Sequence, residues 1–373
     1  TKKCQNCKQD FTIEPDDFGF YEKVKVPPPV NCPECRFKWR AVWRNEIVLY
    51  SRTCELCKER TLAMYNPESP YTIYCQECWL SEKWDPFAYG QDYDPKRPFF
   101  EQMKELLRRV PKAGIFASSD VGPNINSEYT NFAGGNKNCY FVFNSGPQNE
   151  DCAYSRGIIY SRDVFDAYYG DQMENCYECV NVHKSNGIIY GQNISDCIDS
   201  QFVLNCSGCQ NCFGCVNLRQ KSYYFLNESF SRDEYLRRVS EIKGSYQKTE
   251  EFRKEFEKFS LRFPRRENNN LRNQNAKGDY IFESKNCHNC YEISFCEDSK
   301  FLFSNKLTKT CYDLIGHGRR SELLLEGVAV GTSTKAIGSW WTTTSSDVTY
   351  AFALRSCEDC FGCDSIRNGK YVI

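Results

Sequence analysis

Beyond about residue 137 the apolar positions come in short bursts rather than in helical stripes. Tyr140-Phe141-Val142-Phe143, Gly187-Ile188-Ile189-Tyr190 and Gln201-Phe202-Val203-Leu204 are examples, and Asn, Asp, Gly and Ser separate them. Such bursts predict short strands joined by tight turns. An Asn/Asp-Cys-Tyr/Phe theme recurs through them. Aligned on the Cys slot, one series runs Cys139, Cys152, Val164, Cys176, Gly187, Cys197, Cys212, Ser222. A second runs Cys287, Ser299, Cys311, Glu322, Ala336, Val348, Cys360, Lys370. Steps are near twelve residues, and alternate members such as Cys287 and Cys311 lie 24 apart. A fixed period in that range signals a solenoid. The expectation is a mainly β chain whose larger part is a parallel β-helix with two segments per coil. Its parts are 137–230 and 273–373, with reduced Cys as a small apolar rung of an internal ladder.

Two stretches change period. Phe99, Met103, Leu106, Leu107 and Val110 recur at helical spacing and Pro111 ends the run, which predicts a helix over Phe99 to Arg109 inside a connector at 85–136. The Ser-, Asn- and Gly-rich residues 117–136 read as loop. From Ser231 to Phe259 the pattern is again helical: Ser231 and Glu234 form a capping box, Gly244 ends one helix, and Phe252, Phe256 and Phe259 mark a face of the next. Residues 231–272 therefore read as a helical hairpin inserted between the two β parts.

Cysteine is the compositional outlier, 24 in 373 residues, in a chain of 40% hydrophobic content and net charge −1. No stretch approaches the roughly 18 apolar residues of a membrane span, and no apolar leader is visible. The expected compartment is a reducing cytoplasm, with Cys serving metal and packing rather than disulfides. Four Cys-x-x-Cys pairs stand in order in residues 1–84: Cys4/Cys7, Cys32/Cys35, Cys54/Cys57 and Cys75/Cys78. Each pair aims two thiolates at one point, and two pairs complete a tetrahedral shell closed to water. The expectation is a double zinc-ribbon module holding two structural Zn2+ ions, paired sequentially.

Between the two sets lies Arg36-Phe37-Lys38-Trp39-Arg40-Ala41-Val42-Trp43-Arg44. Basic groups interleaved with aromatics suit phosphate contact and base stacking. Arg36, Lys38, Trp39, Arg40, Trp43 and Arg44 are thus candidate RNA or partner contacts. So are Arg262, Arg265 and Arg266, in a hairpin segment with 12 Lys/Arg against 8 Asp/Glu. The alternative is that the tryptophans pack on the metal knuckles while the arginines are solvated. Cys206, Cys209, Cys212 and Cys215 could ligate a further metal. The recurrence of Cys209-Gln-Asn-Cys212-Phe-Gly-Cys215 as Cys357-Glu-Asp-Cys360-Phe-Gly-Cys363 favours a structural ladder instead.

No Walker loop, dinucleotide fingerprint or G-x-S-x-G occurs, and His183, His288 and His317 are scattered. Asp163, Asp166, Asp171, Asp196 and Asp199 are candidates for a carbohydrate-active β-helix, though Asp in such a repeat ordinarily shapes turns.

Residues Lys3 to Phe100 resemble a family of zinc-ribbon proteins encoded by Candidate Phyla Radiation (Patescibacteria) bacteria. The matching residues are Cys4-Gln-Asn-Cys7 with Phe11, Val26-Pro27-Pro28-Pro29, Cys32-Pro33-Glu34-Cys35-Arg36, Trp43-Arg44-Asn45-Glu46 and Trp84-Asp85-Pro86. The Cys-rich repeats to about Phe225 are similar too. The resemblance implies a cytosolic bacterial zinc-ribbon protein and carries no catalytic residue. The functional expectation is a non-catalytic, zinc-stabilised scaffold that contacts RNA or a ribonucleoprotein. The alternatives are self-association into a structural assembly and a carbohydrate-active enzyme.

Overall fold

The computed structural model describes residues 1–117, 122–316 and 318–373. His317 and part of the expected 117–136 loop lie outside them. Most regular structure is strand, gathered into two large sheets of ten and eleven strands whose ladders are almost wholly parallel. Within them a residue faces the one twelve further along the chain. Ala153 pairs with Phe165, Asn186 with Ile198, Gln201 with Phe213, and Ser346 with Glu358. Steps of thirteen at Tyr140/Ala153 and Tyr312/Leu325 absorb single extra residues.

A rule of three operates inside each twelve. Asn175, Glu178, Asn181 and Lys184 have φ of 52°, 49°, 54° and 47°. The residue after each of them, Cys176, Cys179, Val182 and Ser185, is buried. Every third residue thus turns a left-handed corner, the next points inward and the third points out. A twelve-residue step with a corner every three residues has four corners. The Asn/Asp-Cys-Tyr/Phe theme follows directly. Asn and Asp tolerate the left-handed region best among residues with a side chain, the small thiol fills the narrow interior, and the aromatic covers the outside. Asn175-Cys176-Tyr177 and Asn211-Cys212-Phe213 are two instances. Corner amides also bond one another across segments: Asn181 donates to Asn193 at 2.9 Å, and Asn193 to Asn205 at 3.1 Å.

The interior accommodates hydroxyls and thiols because local backbone satisfies them. Ser185 Oγ donates to the His183 carbonyl at 2.8 Å and accepts the Cys197 N–H at 3.1 Å. Cys176 and Cys206 Sγ face the carbonyls two residues back, at 3.3 and 3.5 Å. A buried polar group left unpaired costs about 1–3 kcal/mol, and these bonds avoid that cost. All 24 cysteines are free.

Three sequence expectations are corrected. The next segment in sequence is the hydrogen-bonded neighbour, so the repeat unit is one twelve-residue segment and not two. Several anchors slip. The rung through Cys176 continues as Ile188, Ser200, Cys212 and Tyr224, not Gly187, Cys197 and Ser222; Leu324 and Val372 replace Glu322 and Lys370. Pairing also begins well before residue 137, since Ala117 bridges Ala133 and Thr130 pairs with Val142.

Among the described residues six α-helices lie outside the sheets: α1 (Pro15–Lys23), α2 (Pro33–Ala41), α3 (Gln76–Leu80), α4 (Phe99–Arg109), α5 (Arg232–Lys243) and α6 (Tyr246–Ser260). Half of the expected capping box is present: Ser231 Oγ accepts the Glu234 N–H, while the Glu234 carboxylate pairs with Arg237 and Arg238, and Gly244 closes α5 as expected. Phe252 of α6 packs on Phe202, Phe213 and Phe225 of the first stack. The two stacks lie side by side and run in opposite directions. Asn144 meets Ser304, Tyr168 meets Glu292, and Asn193 meets Tyr280, so one number rises as the other falls.

Candidate metal centres and the surface they carry

Each metal centre is assembled from a hairpin and a helix start. Strands Lys2–Lys3 and Asp10–Phe11 carry the turn with Cys4 and Cys7; strands Tyr50–Thr53 and Arg60–Ala63 carry Cys54 and Cys57. The two turns are alike. The Cys4 N–H bonds the Gln9 carbonyl at 2.9 Å and the Cys54 N–H the Glu59 carbonyl at 2.8 Å. Lys8 and Lys58 supply the left-handed corner after the second Cys, with φ of 65° and 68°. The remaining ligands open helices rather than a second hairpin. Cys32 caps α2, with Cys35 on its first turn, and Cys75 caps α3, with Cys78 on its first turn.

The four sulfurs of Cys4, Cys7, Cys32 and Cys35 lie within 4.8 Å of one another, as do those of Cys54, Cys57, Cys75 and Cys78. The pairing is sequential, and each set fits one tetrahedral ion. One thiolate in each set is favoured before any ion arrives, whereas burial pushes the Cys32 and Cys78 thiols up to about 12. Burial pushes the Cys4 thiol up, but backbone N–H groups of Cys32, Cys7 and Asn6 outweigh it and hold the pKa at about 6. In the second site burial likewise raises Cys54, and the N–H groups of Cys75, Cys57 and Leu56 bring it to about 6. The Cys32 N–H stands 3.3 Å from Cys4 Sγ and the Cys75 N–H 3.2 Å from Cys54 Sγ.

Among the described residues these are the two groups of Cys, His, Asp or Glu whose ligand atoms converge in this way. Cys206, Cys209, Cys212 and Cys215 are all buried, yet they do not form such a group. Successive members face inward from successive sides. The corner aspartates Asp163, Asp166, Asp196 and Asp199 have φ of 53°, 54°, 54° and 46°, which accounts for Asp there by turn geometry. Asp171 instead hydrogen-bonds His183.

The basic strip is divided by its placement. Arg36 and Arg40 are buried, not solvated, and both reach Asp313 of the second stack at 3.0 Å. Arg36 also donates to the Asn31 carbonyl at 2.6 Å. Burial pulls Arg40 below its ordinary range. Arg44 pairs with Glu46 and donates to Asn144 at 2.7 Å and to the Ile315 carbonyl at 3.3 Å, bridging the two stacks. Gly316, at φ 90°, is required beside it, because a Cβ there would lie 1.4 Å from Arg44 Nη1. These three guanidiniums fasten the metal module in place, which corrects the expectation that they line an exposed contact surface. Lys38 and Trp39 remain exposed, and Trp43 is partly exposed while touching Trp340 at 5.6 Å between ring centres. Arg262, Arg265 and Arg266 are exposed and form no ion pair among the described residues; Arg265 donates to Ser260 Oγ at 3.2 Å.

Residues that sequence reading missed are Asp313, Glu46 and Asn31, whose Oδ1 accepts the Asn6 N–H at 3.1 Å within the first centre. Asp313 lies 277 residues from Arg36, and no local pattern marks it. No helix among the described residues is long and apolar enough to cross a membrane.

No protein-family model matches the chain, and no curated protein matches it. Among solved structures it is aligned with a proposed acetyltransferase from Desulfovibrio desulfuricans G20, 11% identical over 76% of this chain and 73% of that one. The TM-score is 0.13, a likeness that carries no argument about fold or function.

Proposed function

We propose that this chain is a non-catalytic, zinc-stabilised binding protein that contacts RNA, free or within a ribonucleoprotein, through the outer edge of its metal module. The observation that carries this reading is the inversion of α2 and the loop after it. Three arginines turn inward, while Trp39, Val42, Trp43, Ile47 and Val48 are left out in solvent, Trp39 at 51% and Val42 at 80% exposure. A rigidly held aromatic and apolar patch is an interaction site by default. Aromatic faces beside Lys38 suit stacking of unpaired bases and contact with a phosphate. Arg262, Arg265 and Arg266 offer a second basic contact.

Zinc is the ion proposed for both centres. Four thiolates in a closed tetrahedron are its preferred structural shell, and soft sulfur ligands disfavour Mg2+ and Ca2+. The twelve-residue parallel register supports reading the two stacks as two runs of a parallel β-helix. In that reading they are a stiff support, and the zinc module with its patch is the working surface.

The test is fluorescence anisotropy with a labelled single-stranded RNA of mixed sequence, about fifteen nucleotides long. Salt-sensitive binding is expected, weakened at least tenfold by Lys38→Ala with Trp39→Ala. Absence of binding, or binding indifferent to that double change, would sink the proposal.

A further inference from the structure

One wall of the first stack is half covered and half bare. Its corner row runs Phe141, Tyr154, Asp166, Glu178, Tyr190 and Phe202, one residue per segment and all at positive φ. On the covered half α6 lies across the wall. Phe252 meets the rings of Phe202 and Phe213 at 5.2 and 4.7 Å, inclined to both. Arg253 fills a defined niche beside it. Its guanidinium sits 4.2 Å over the Tyr190 ring and donates to Glu178 at 3.1 Å. Tyr190 offers that face because its other face is stacked on Phe202, at 4.6 Å and 23°. The bare half repeats the niche in mirror order. Tyr154 stacks on Phe141 at 6.1 Å and 14°, so its free face looks toward the next segment, where Asp166 holds the corner. Tyr154 is 57% exposed and Asp166 is exposed as well. Among the described residues no cation lies over that ring or pairs with that carboxylate. We infer that the bare half docks an amphipathic helix of a separate protein, whose arginine enters the Tyr154–Asp166 niche as Arg253 enters its counterpart. This contact is independent of the RNA reading above.

The continuity of the wall and its charge select the occupant. A ring face beside a carboxylate suits a guanidinium, which stacks and pairs at once, better than a lysine, which is a point charge. Around the niche, Tyr140, Phe165 and Tyr177 stand outward at 43%, 43% and 39% exposure, on the outward row that Phe213 continues under Phe252. They extend the apolar surface that one helix already covers, and a helix laid into such a groove buries its own apolar face there. The bare half carries Asp151, Asp163 and Asp166 with Glu178 at its edge, and no Lys or Arg in the same rows. Of these carboxylates, Asp151 and Asp166 stand outside any ion pair among the described residues, whereas Arg162 reaches Asp163 at 3.7 Å. A wall of that sign repels phosphate and favours a basic partner. Polymers read by stacking need successive open ring faces, and here Tyr129, Phe141 and Tyr154 have spent most of theirs on one another.

The probe is a labelled synthetic peptide of sequence 245–261, which carries Phe252, Arg253 and Phe256 and stands in for the partner helix. It would be titrated into the full-length protein by fluorescence anisotropy at low salt. Saturable binding is expected, at least fivefold weaker for the Arg253→Ala peptide and for Tyr154→Ala or Asp166→Lys in the protein. Lysine fits such a corner, as Lys184 shows at φ 47°, so zinc content and circular dichroism of the variants should match the parent. Tyr154→Ala should leave RNA binding unchanged. Absence of peptide binding to the parent would overturn the proposal. So would peptide binding indifferent to Asp166→Lys but lost in Glu178→Lys, which is exchange with α6 on the covered half. A dimer in sedimentation that Tyr154→Ala dissolves would assign the wall to a second copy of this chain. Loss of RNA binding in Tyr154→Ala would assign it to the RNA surface. Either of these outcomes overturns the separate partner.

Discussion

The chain uses one spacing, Cys-x-x-Cys, in two regions with opposite results. In the metal module, Cys4 and Cys7 or Cys54 and Cys57 aim at a common point. In the stacks, Cys209 and Cys212 or Cys357 and Cys360 face inward from different sides of the same segment. What differs is the place of the left-handed residue. In the knuckles it follows the second Cys, at Lys8 and Lys58. In the stacks it precedes each Cys, as at Asn211 and Asp359. A corner after the pair folds the backbone around the sulfurs, whereas a corner before every Cys sends each sulfur to its own wall. Spacing becomes a statement about ligation only with the backbone conformation of its neighbours.

The strongest way to break this contrast is to count metal. The purified chain is expected to carry two zinc ions, and Cys35→Ser to lose one, while Cys212→Ser keeps both. A strong chelator should abolish the signal of residues 1–84 and leave the β signal of the stacks, because a structural zinc site supplies on the order of 10 kcal/mol of apparent binding energy. Zinc loss from Cys212→Ser in elemental analysis would erase the distinction.

Next in size is the bond between the two regions. Asp313→Ala strands Arg36 and Arg40 in a buried site and should destabilise the chain by about 3–5 kcal/mol in urea unfolding. A change under 1 kcal/mol would show that the module is not fastened there.

Lys112 and Asp364 join the connector to the second stack, and burial, opposed by Lys112, raises the Asp364 pKa to about 6. A raised carboxyl favours the folded state while both states hold the proton. That contribution is complete below the unfolded value near 3.8 and is lost as pH rises through about 6. The loss is roughly 3 kcal/mol at 1.36 kcal/mol per pH unit. Asp364→Asn should flatten the stability profile between pH 4 and 6, and an unchanged slope would contradict the assignment.

The smallest effect tests the corner itself. Asn211→Val should cost roughly 1–2 kcal/mol, since a β-branched residue is least at ease at positive φ. Asn211→Gly should be close to neutral by thermal melting. Equal costs for the two changes would show that the corner does not set the residue choice.

The legibility of this chain follows the reach of each signal. The two convergent groups of four cysteines were readable because each pair lies within four residues and the pairs succeed one another. Helices α4, α5 and α6 were readable from Pro111, Ser231 and Gly244, which act on the turn next to them. The twelve-residue step was readable too, but its anchors slipped to Gly187, Cys197 and Ser222. With every third residue inward, an offset of three looks like the true register, and a short burst hides smaller slips. The fate of Arg36, Arg40 and Arg44 was not readable. Their partners are Asp313, Asn144 and the Ile315 carbonyl, and only the folded stacks bring these to the module. The half-covered wall escaped for the same reason, since Arg253 and Glu178 lie 75 residues apart.

The rule of three has a consequence for how such a chain can change length. Removing twelve residues would delete one storey and leave every wall above it in line. Removing three would keep every inward residue inward, yet turn the rest of the tower by a quarter about its axis. Its core would hardly register the change. Asp313 and Asp364, which must face the metal module and the connector, would point elsewhere. Apart from single residues absorbed locally, as at Tyr140/Ala153 and Tyr312/Leu325, the interior of this protein therefore tolerates lengths in steps of three, and the docking of its first hundred residues on the outside favours steps of twelve.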